Sequence, residues 1–266
     1  LHPDFVKNSQ IYLYQTARNG EGYKNVLVRF TLNGNKLANR KIIVDNIPAS
    51  ANHNGGRIAF GPDGLLYVTT GDAEKENQAQ NTKNLAGKIL RVRDDGSIPS
   101  DNPFGNAVWS YGHRNPQGLA WDGQGRLWAT EHGRSGAATG YDELNLIEKG
   151  ENYGWPIIQG EENQEGMVSP VIQSGASATW APSGATYKNG HIYFAGLRGQ
   201  ALYRVKISDN AEVEGMREFF TRELGRLRSV SVGPDGNLYI ITNNTDGRGI
   251  VKAEDDKIIR MNPDNL

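Results

Sequence analysis

A histidine in a glycine-rich loop is the first residue of this chain that could act as a base. His53 lies in the stretch Asn-His-Asn-Gly-Gly-Arg at residues 52–57, directly before an apolar run. Asparagine and glycine favour loop conformations, in which an imidazole can reach a bound ligand. Because an imidazole ordinarily titrates at about pH 6.5, His53 is a candidate general base. The alternative is a loop histidine with a structural hydrogen bond, and this motif alone leaves both open.

A second polar cluster surrounds Arg114 and Asn115. The two residues lie in Ser-Tyr-Gly-His-Arg-Asn-Pro-Gln-Gly at residues 110–118, where Pro116 and Gly118 indicate a turn. A planar guanidinium beside an amide is suited to carboxylates or quinone oxygens. An arginine that only stabilises its own loop is the alternative interpretation.

Two further clusters are rich in charge. Arg226 and Arg228 flank one leucine, so within a strand both would lie on one face and could bind one anion. Carboxylates and glycine turns are concentrated at residues 131–134, 141–145 and 151–156. Such oxygen-rich loops suit calcium, although the spacing does not match an EF-hand. The alternative for the acidic segment is a solvent-exposed loop.

The elements that must position these clusters form a repeat. Its clearest copy is Ile-Ala-Phe-Gly-Pro-Asp-Gly-Leu-Leu-Tyr-Val-Thr-Thr-Gly at residues 58–71. Further copies lie at residues 119–132, 185–196 and 230–242, and residues 1–14 resemble the end of a fifth. Pro-Asp-Gly supplies the turn, because proline restricts φ, aspartate caps locally and glycine accepts positive φ. The pattern predicts a strand, a turn and a second strand in each copy.

Short strands that recur every ~40–60 residues predict an all-β propeller. Loops from several blades of a propeller meet at its axis. We therefore expect His53, Arg114, Arg226 and Arg228 to converge on one axial pocket. A β-sandwich with chance similarity between its turns is the alternative fold.

Composition limits the classes of function. Hydrophobic residues make up 37% and charged residues 22% of the 266, which is typical of a soluble globular protein. Because 29 basic and 30 acidic residues nearly cancel, no charge pattern favours nucleic acid or an anionic membrane surface. No apolar run approaches the ~20 residues of a membrane-spanning helix, so we expect no membrane insertion. The chain has no cysteine, which excludes disulfides and thiolate chemistry and suits an oxidising compartment.

The four clusters, in this order, resemble the soluble glucose and aldose sugar dehydrogenases that depend on pyrroloquinoline quinone (PQQ). The resemblance extends over nearly the whole chain. It is strongest at residues 53–57, 110–118, 142–145, 152–156 and 226–228. It implies a six-bladed-type β-propeller, with about five blades represented in one domain over residues 1–266. It also implies PQQ and calcium as cofactors, an aldose as substrate, an external electron acceptor, and a periplasmic or secreted monomer or dimer.

The resemblance also implies a role for each candidate residue. His53 and Arg114 are the expected catalytic residues. The expected cofactor-binding residues are Asn115, Thr179, Arg198, Arg226 and Arg228. Main-chain carbonyls of Gly133 and Arg134 are expected to hold a catalytic calcium, and a second calcium is expected near Asp142, Glu143 and Tyr153.

The implied reaction is the oxidation of an aldose to a lactone. His53 removes the proton of the anomeric hydroxyl while hydride passes from C1 to the quinone C5. Calcium polarises the C5 carbonyl, and Arg114 stabilises the oxyanion that develops there.

The sequence departs from the family pattern in three places. Members of the family carry a further blade before the element at residues 1–5. We therefore expect the chain as given to be a weak or inactive dehydrogenase unless that blade is restored, because an open propeller edge exposes unpaired backbone groups. Arg134 stands where proline is usual, and residues 135–141 look expanded. Asn52 stands where some members have aspartate.

Two other functions remain open from the residues. One is a calcium-dependent lactonase-type hydrolase on a six-bladed propeller, and the other is a non-catalytic propeller that binds a sugar or a partner. Lactonase sites hold their metal through carboxylates and amides on the axis. The axial candidates of this chain are histidine and arginine instead, which favours an anionic planar cofactor.

Overall fold

The computed structural model describes residues 1–20, 22–134 and 140–266. Contacts divide the chain into two compact units. The first unit consists of Leu1–Pro116, Glu148–Ile157 and Gln164–Val168, and the second of Gln117–Ile147, Ile158–Asn163 and Ser169–Leu266. That residues 1–266 form a single domain stays a prediction.

The first unit contains two antiparallel sheets. A short helix, α1 (Phe5–Asn8), precedes a sheet of β1 (Gln10–Asn19), β2 (Gly22–Asn33) and β3 (Lys36–Pro48), paired in that order. The second sheet pairs β4 (Ile58–Phe60), β5 (Leu66–Thr70), β6 (Lys88–Val92) and β7 (Val108–Tyr111) in order. A 3₁₀ turn at Glu76–Gln80 lies in the connection between β5 and β6. Both sheets contribute to one apolar core, which includes Leu27, Ile47, Val68, Leu90 and Val108.

The second unit contains three antiparallel sheets. One consists of β8 (Pro116–Trp121, whose first residue belongs to the first unit), β9 (Leu127–Glu131), β10 (Glu143–Ile147) and β11 (Ile172–Gln173). The next pairs β12 (Pro182–Lys188), β13 (His191–Gly196), β14 (Leu202–Ile207) and β15 (Val213–Phe219). The last pairs β16 (Leu227–Val232), β17 (Leu238–Thr242) and β18 (Ile258–Met261), and a 3₁₀ turn at Pro263–Asn265 follows.

Every complete copy of the predicted repeat is a β-hairpin. The four hairpins are β4–β5, β8–β9, β12–β13 and β16–β17. The turn aspartate explains the shared sequence: Asp63 accepts from the hydroxyl of Tyr67 at 3.0 Å, and Asp235 accepts from Tyr239 at 3.0 Å. In the second copy, Asp122 accepts from the indole of Trp128 at 2.9 Å. The turn and the aromatic residue after it are therefore one hydrogen-bonded structure.

None of the helices in the described ranges is long and apolar enough to cross a lipid bilayer.

Candidate functional site

His53 and Asp72 form a hydrogen-bonded pair in the first unit. Nδ1 of His53 lies 2.8 Å from Oδ1 of Asp72, whose side chain is fully buried, whereas the His53 side chain is 16% exposed. A buried carboxylate that accepts the Nδ1 proton leaves Nε2 as the basic nitrogen of the ring. The pair therefore has the arrangement of an oriented general base.

The backbone around this pair adopts strained conformations. His53, Ala73 and Glu74 all have positive φ, at 55°, 52° and 59°. The amide of Ala73 donates to the carbonyl of His53 at 3.1 Å, and a Cβ at Gly71 would lie 1.8 Å from that carbonyl. Only glycine fits at position 71, and left-handed conformations at three neighbouring residues are typical of a functional site.

Arg114 and Asn115 lie against the His53 loop within the first unit. Oδ1 of Asn115 accepts from the amide of Gly55 at 3.0 Å, and the carbonyl of Arg114 accepts from the amide of Asp72 at 2.8 Å. Both side chains are buried, with 6% and 3% exposed. The structure thus brings His53, Arg114 and Asn115 together.

Trp155 contacts both parts of this arrangement. Its indole N–H donates to Oδ2 of Asp72 at 2.9 Å, and the Arg114 guanidinium lies 5.3 Å from the centre of its ring. The sequence motif at residues 152–156 contains Trp155 but indicates no role for it. Asp72 was also missed, although an aspartate directly after the buried strand β5 and a glycine was a usable signal.

Lys88, the first residue of β6, is fully buried in the first unit. Its Nζ donates to the carbonyls of Gln78 at 2.9 Å, Ala79 at 2.8 Å and Ala86 at 2.5 Å. Burial lowers the pKa of Lys88 to about 7. This lysine holds together the connection between β5 and β6, which begins at Gly71 and contains Asp72.

Arg226 and Arg228 share a single carboxylate in the second unit. The guanidinium of Arg226 donates to Oδ2 of Asp246 at 2.9 and 3.2 Å, and Nη2 of Arg228 lies 4.0 Å from the same oxygen. Arg228 also donates to Oε1 of Gln117 at 3.2 Å. Burial and the neighbouring Arg226 lower the pKa of Arg228, although Asp246 opposes this. Two guanidiniums beside one carboxylate leave an excess positive charge, which suits an anion.

The predicted acidic cluster contains two facing carboxylates. Glu143 pairs across the sheet with Glu131, and Nδ2 of Asn145 donates to Glu143 at 3.0 Å. Desolvation by the surrounding protein, together with the charge of Glu131, raises the pKa of Glu143. Oδ1 of Asn145 is buried and accepts no hydrogen bond from the described residues. The arrangement therefore combines negative charge with an oxygen that accepts no hydrogen bond from the described residues.

Asp142 organises the loops around it. Its Oδ1 accepts from the amide of Gly133 at 2.9 Å. Its Oδ2 accepts from the hydroxyl of Thr179 at 2.8 Å and from the amides of Trp180 and Ala181 at 2.7 and 2.9 Å. Both oxygens are therefore engaged within the protein, and so is the hydroxyl proton of Thr179.

The remaining predicted site residues are Arg198, Arg134 and Tyr153. Arg198 is exposed after β13, and Arg134 is exposed and forms a backbone bridge with Gly140. Tyr153 is buried, and its hydroxyl accepts from the amide of Glu148 at 2.8 Å. Their assignment as cofactor or metal ligands stays a prediction. Within the segment predicted to be expanded, residues 135–141, positions 135 to 139 lie outside the described residues.

Within the described ranges, no three histidine, cysteine, aspartate or glutamate side chains are grouped closely enough to hold a metal ion. A calcium site would therefore have to draw on amide and main-chain oxygens beside one or two carboxylates, as calcium sites commonly do.

The family model for glucose/sorbosone dehydrogenase matches residues 1–252 of this chain. Aldose sugar dehydrogenase YliI of Escherichia coli is 30% identical over 278 residues, covering 93% of this chain and 74% of its own. Quinoprotein glucose dehydrogenase B of Acinetobacter calcoaceticus is 37% identical over 199 residues, covering 63% of this chain and 41% of its own.

Solved structures show the same similarity. The PQQ-bound aldose sugar dehydrogenase of Streptomyces coelicolor superposes with a TM-score of 0.91 at 41% identity, covering 98% of this chain and 78% of its own. The apo-form of the soluble aldose sugar dehydrogenase of E. coli gives 0.82 at 30% identity, covering 91% and 77%. The predicted fold class, an all-β propeller, is confirmed. The number of blades stays a prediction.

Proposed function

The chain belongs to the glucose/sorbosone dehydrogenase family, and we propose that it is a PQQ-dependent aldose sugar dehydrogenase, which oxidises the anomeric hydroxyl of an aldose to give a lactone. The observation that carries this proposal is the His53–Asp72 pair beside Arg114 and Asn115 in the first unit. A base and an arginine in one buried cluster suit the removal of a hydroxyl proton as negative charge develops nearby.

The arginines fit an anionic planar cofactor. PQQ, when bound, supplies a quinone that accepts the hydride and carboxylates that basic side chains can bind. Arg226 and Arg228 carry more positive charge than Asp246 neutralises, so they would bind carboxylates. We assign Asn115, Thr179 and Arg198 to the same cofactor, as the family resemblance implies.

His53 acts as the proton acceptor in this proposal. Asp72 holds the ring through Nδ1, so that Nε2 faces the anomeric hydroxyl and takes its proton. The buried carboxylate then stabilises the imidazolium that forms. Arg114 provides N–H donors for the oxygen on which negative charge develops.

Calcium fits the Glu131–Glu143 pair. The facing carboxylates and the unused Oδ1 of Asn145 are hard oxygen donors of the kind that calcium binds. Asp142 is less suited, since its oxygens already accept four hydrogen bonds. A catalytic calcium at the carbonyls of Gly133 and Arg134 is proposed from the family resemblance.

Replacing Glu143 with glutamine should lower the affinity for calcium about 10–100-fold, because the negative charge is removed and one oxygen becomes an amide nitrogen, while the shape of the side chain is kept. The measurement is calorimetric titration of chelator-treated protein with calcium. Glu212→Gln, an exposed change in the same unit, serves as the control and should leave affinity unchanged. Equal affinities for wild type and Glu143→Gln would exclude Glu143 as a ligand.

The function itself is tested by adding PQQ and calcium to the purified protein and following dye reduction by glucose. We expect reduction that requires PQQ and that yields one lactone for each two-electron reduction. Hydrolysis of added lactones without PQQ would indicate the hydrolase. Glucose binding without turnover would indicate a non-catalytic propeller.

We also propose that an external acceptor reoxidises the cofactor and that the protein is a periplasmic or secreted monomer or dimer. The absence of cysteine is compatible with an oxidising compartment.

A further inference from the structure

We propose that Trp155 is a positioning residue that fixes the orientations of His53 and Arg114 together, an inference that rests on the proposed function. One indole is linked to both groups. Its N–H donates to Asp72, the carboxylate that orients His53, and the Arg114 guanidinium lies over its face. The base and the arginine of the proposed site are thereby held to one rigid aromatic side chain.

The indole N–H fixes one of the two oxygens of the Asp72 carboxylate. Oδ1 of Asp72 binds Nδ1 of His53 at 2.8 Å and the amide of Glu74 at 2.8 Å. Oδ2 accepts the indole N–H at 2.9 Å, its one hydrogen bond from a described residue. Without this donor, Oδ2 of a fully buried carboxylate loses that bond, and only the two bonds to Oδ1 hold the carboxylate in place. The direction of the imidazole would then be less firmly fixed.

The face of the same ring positions Arg114. The guanidinium carbon lies 5.3 Å from the ring centre, within the range of a cation–π contact. This contact is partly shielded from solvent, since Arg114 is only 6% exposed. A change that keeps the ring and removes the N–H therefore separates the effect on His53 from the effect on Arg114.

Trp155 is suited to this task because its own backbone is held on both sides. Its amide donates to the carbonyl of Gly112 at 2.9 Å, and its carbonyl accepts from Nε2 of Gln80 at 2.7 Å. Gln80 is fixed in turn by Asn152, whose amide nitrogen donates to Oε1 of Gln80 at 2.8 Å. The indole is thus attached to a hydrogen-bonded framework and not to a free loop.

The test is Trp155→Phe, which keeps an aromatic face and removes the N–H. We expect kcat for glucose to fall about 10–100-fold while KM stays within about twofold, because a hydrogen bond to a charged group is lost and the sugar contacts are kept. The matched control is Trp109→Phe, because the guanidinium carbon of Arg91 lies 4.6 Å from the centre of the Trp109 ring in a contact of the same kind. Trp109→Phe should leave kcat unchanged.

A second readout needs neither PQQ nor sugar. In ¹⁵N-histidine-labelled apo protein, the Nδ1–H signal of His53 is identified by its loss in His53→Gln. This signal should weaken through faster exchange with water in Trp155→Phe and persist in Trp109→Phe. Such a change in a protein without dehydrogenase activity would support the positioning role and reject the proposed function. Wild-type kcat together with a wild-type signal in Trp155→Phe would overturn the inference.

Gln80→Leu tests the same inference should Trp155→Phe not fold. It removes the donor to the Trp155 carbonyl and leaves the indole in place. We expect a smaller effect of the same kind, with kcat lowered several-fold, KM unchanged and a weaker Nδ1–H signal. A loss of stability with unchanged kcat and signal would contradict the role of Trp155.

Discussion

His53→Gln is expected to lower kcat for the PQQ-dependent oxidation of glucose by about 1,000-fold or more. A positioned general base contributes about 100–10,000-fold, and a glutamine amide cannot take the hydroxyl proton. The buried Asp72 would also lose the partner whose positive charge it is placed to stabilise. Steady-state dye reduction with saturating PQQ and calcium measures the effect.

Cofactor binding separates loss of the base from loss of the site. The affinity for PQQ, measured by fluorescence titration, should stay within a few-fold of wild type in His53→Gln. The control is His191→Gln, since that imidazole bonds the carbonyl of Asn189 in its own hairpin. A His53→Gln enzyme with kcat within tenfold of wild type would remove His53 from the role of base.

Lys88→Met is expected to lower the free energy of unfolding by about 3 kcal/mol. Methionine nearly fills the same volume but provides no donor for the carbonyls of Gln78, Ala79 and Ala86. The carbonyl of Ala86 loses the most, because the other two also accept backbone amides, from Asn81 and from Gly112. Urea unfolding followed by fluorescence measures the change.

The difference in unfolding free energy between wild type and Lys88→Met should grow as pH rises above 7. The pKa of Lys88 is about 7 in the folded protein and about 10.4 in an unfolded chain. Between these values the unfolded state binds more protons, so the wild type gains unfolding free energy as pH rises from 7 towards 10. Lys88→Met should lack this gain. The control is Lys83→Met, an exposed change in the same connection, which should retain it. Parallel pH dependences in wild type and Lys88→Met would contradict the burial of a titrating lysine.

The hairpins were predictable because their causes are local. In Gly-Pro-Asp-Gly-Leu-Leu-Tyr at residues 61–67, the turn, its aspartate and the tyrosine that binds this aspartate lie within a few positions of one another. The same holds for Asp235 and Tyr239. Turn chemistry and strand alternation act over such distances, so four copies of one pattern were enough to indicate an all-β propeller.

The candidate site was predictable only in part. His53 and the Arg114–Asn115 turn were recognisable as residues of suitable chemistry near strand ends, and the family resemblance assigned their roles. The partner of His53 was not, although Asp72 is only 19 positions away. Its position after a buried strand and a glycine marks Asp72 as a polar residue at a strand end, but does not distinguish an aspartate that orients a base from one that caps a turn. The same limit applies to Asp142, expected near calcium, whose oxygens the structure shows to be engaged by the loops around it.

The amino-acid sequence by itself thus determined the strand–turn–strand units, the all-β class and the identity of the charged residues that could do chemistry. Tertiary structure alone decided which of them act together. Trp155 binds Asp72 although the two are 83 positions apart, and Nζ of Lys88 donates to backbone carbonyls of the connection between β5 and β6. The physical reason is that burial and hydrogen-bond direction depend on packing between distant segments, whereas turn and strand preferences depend on neighbours in the chain.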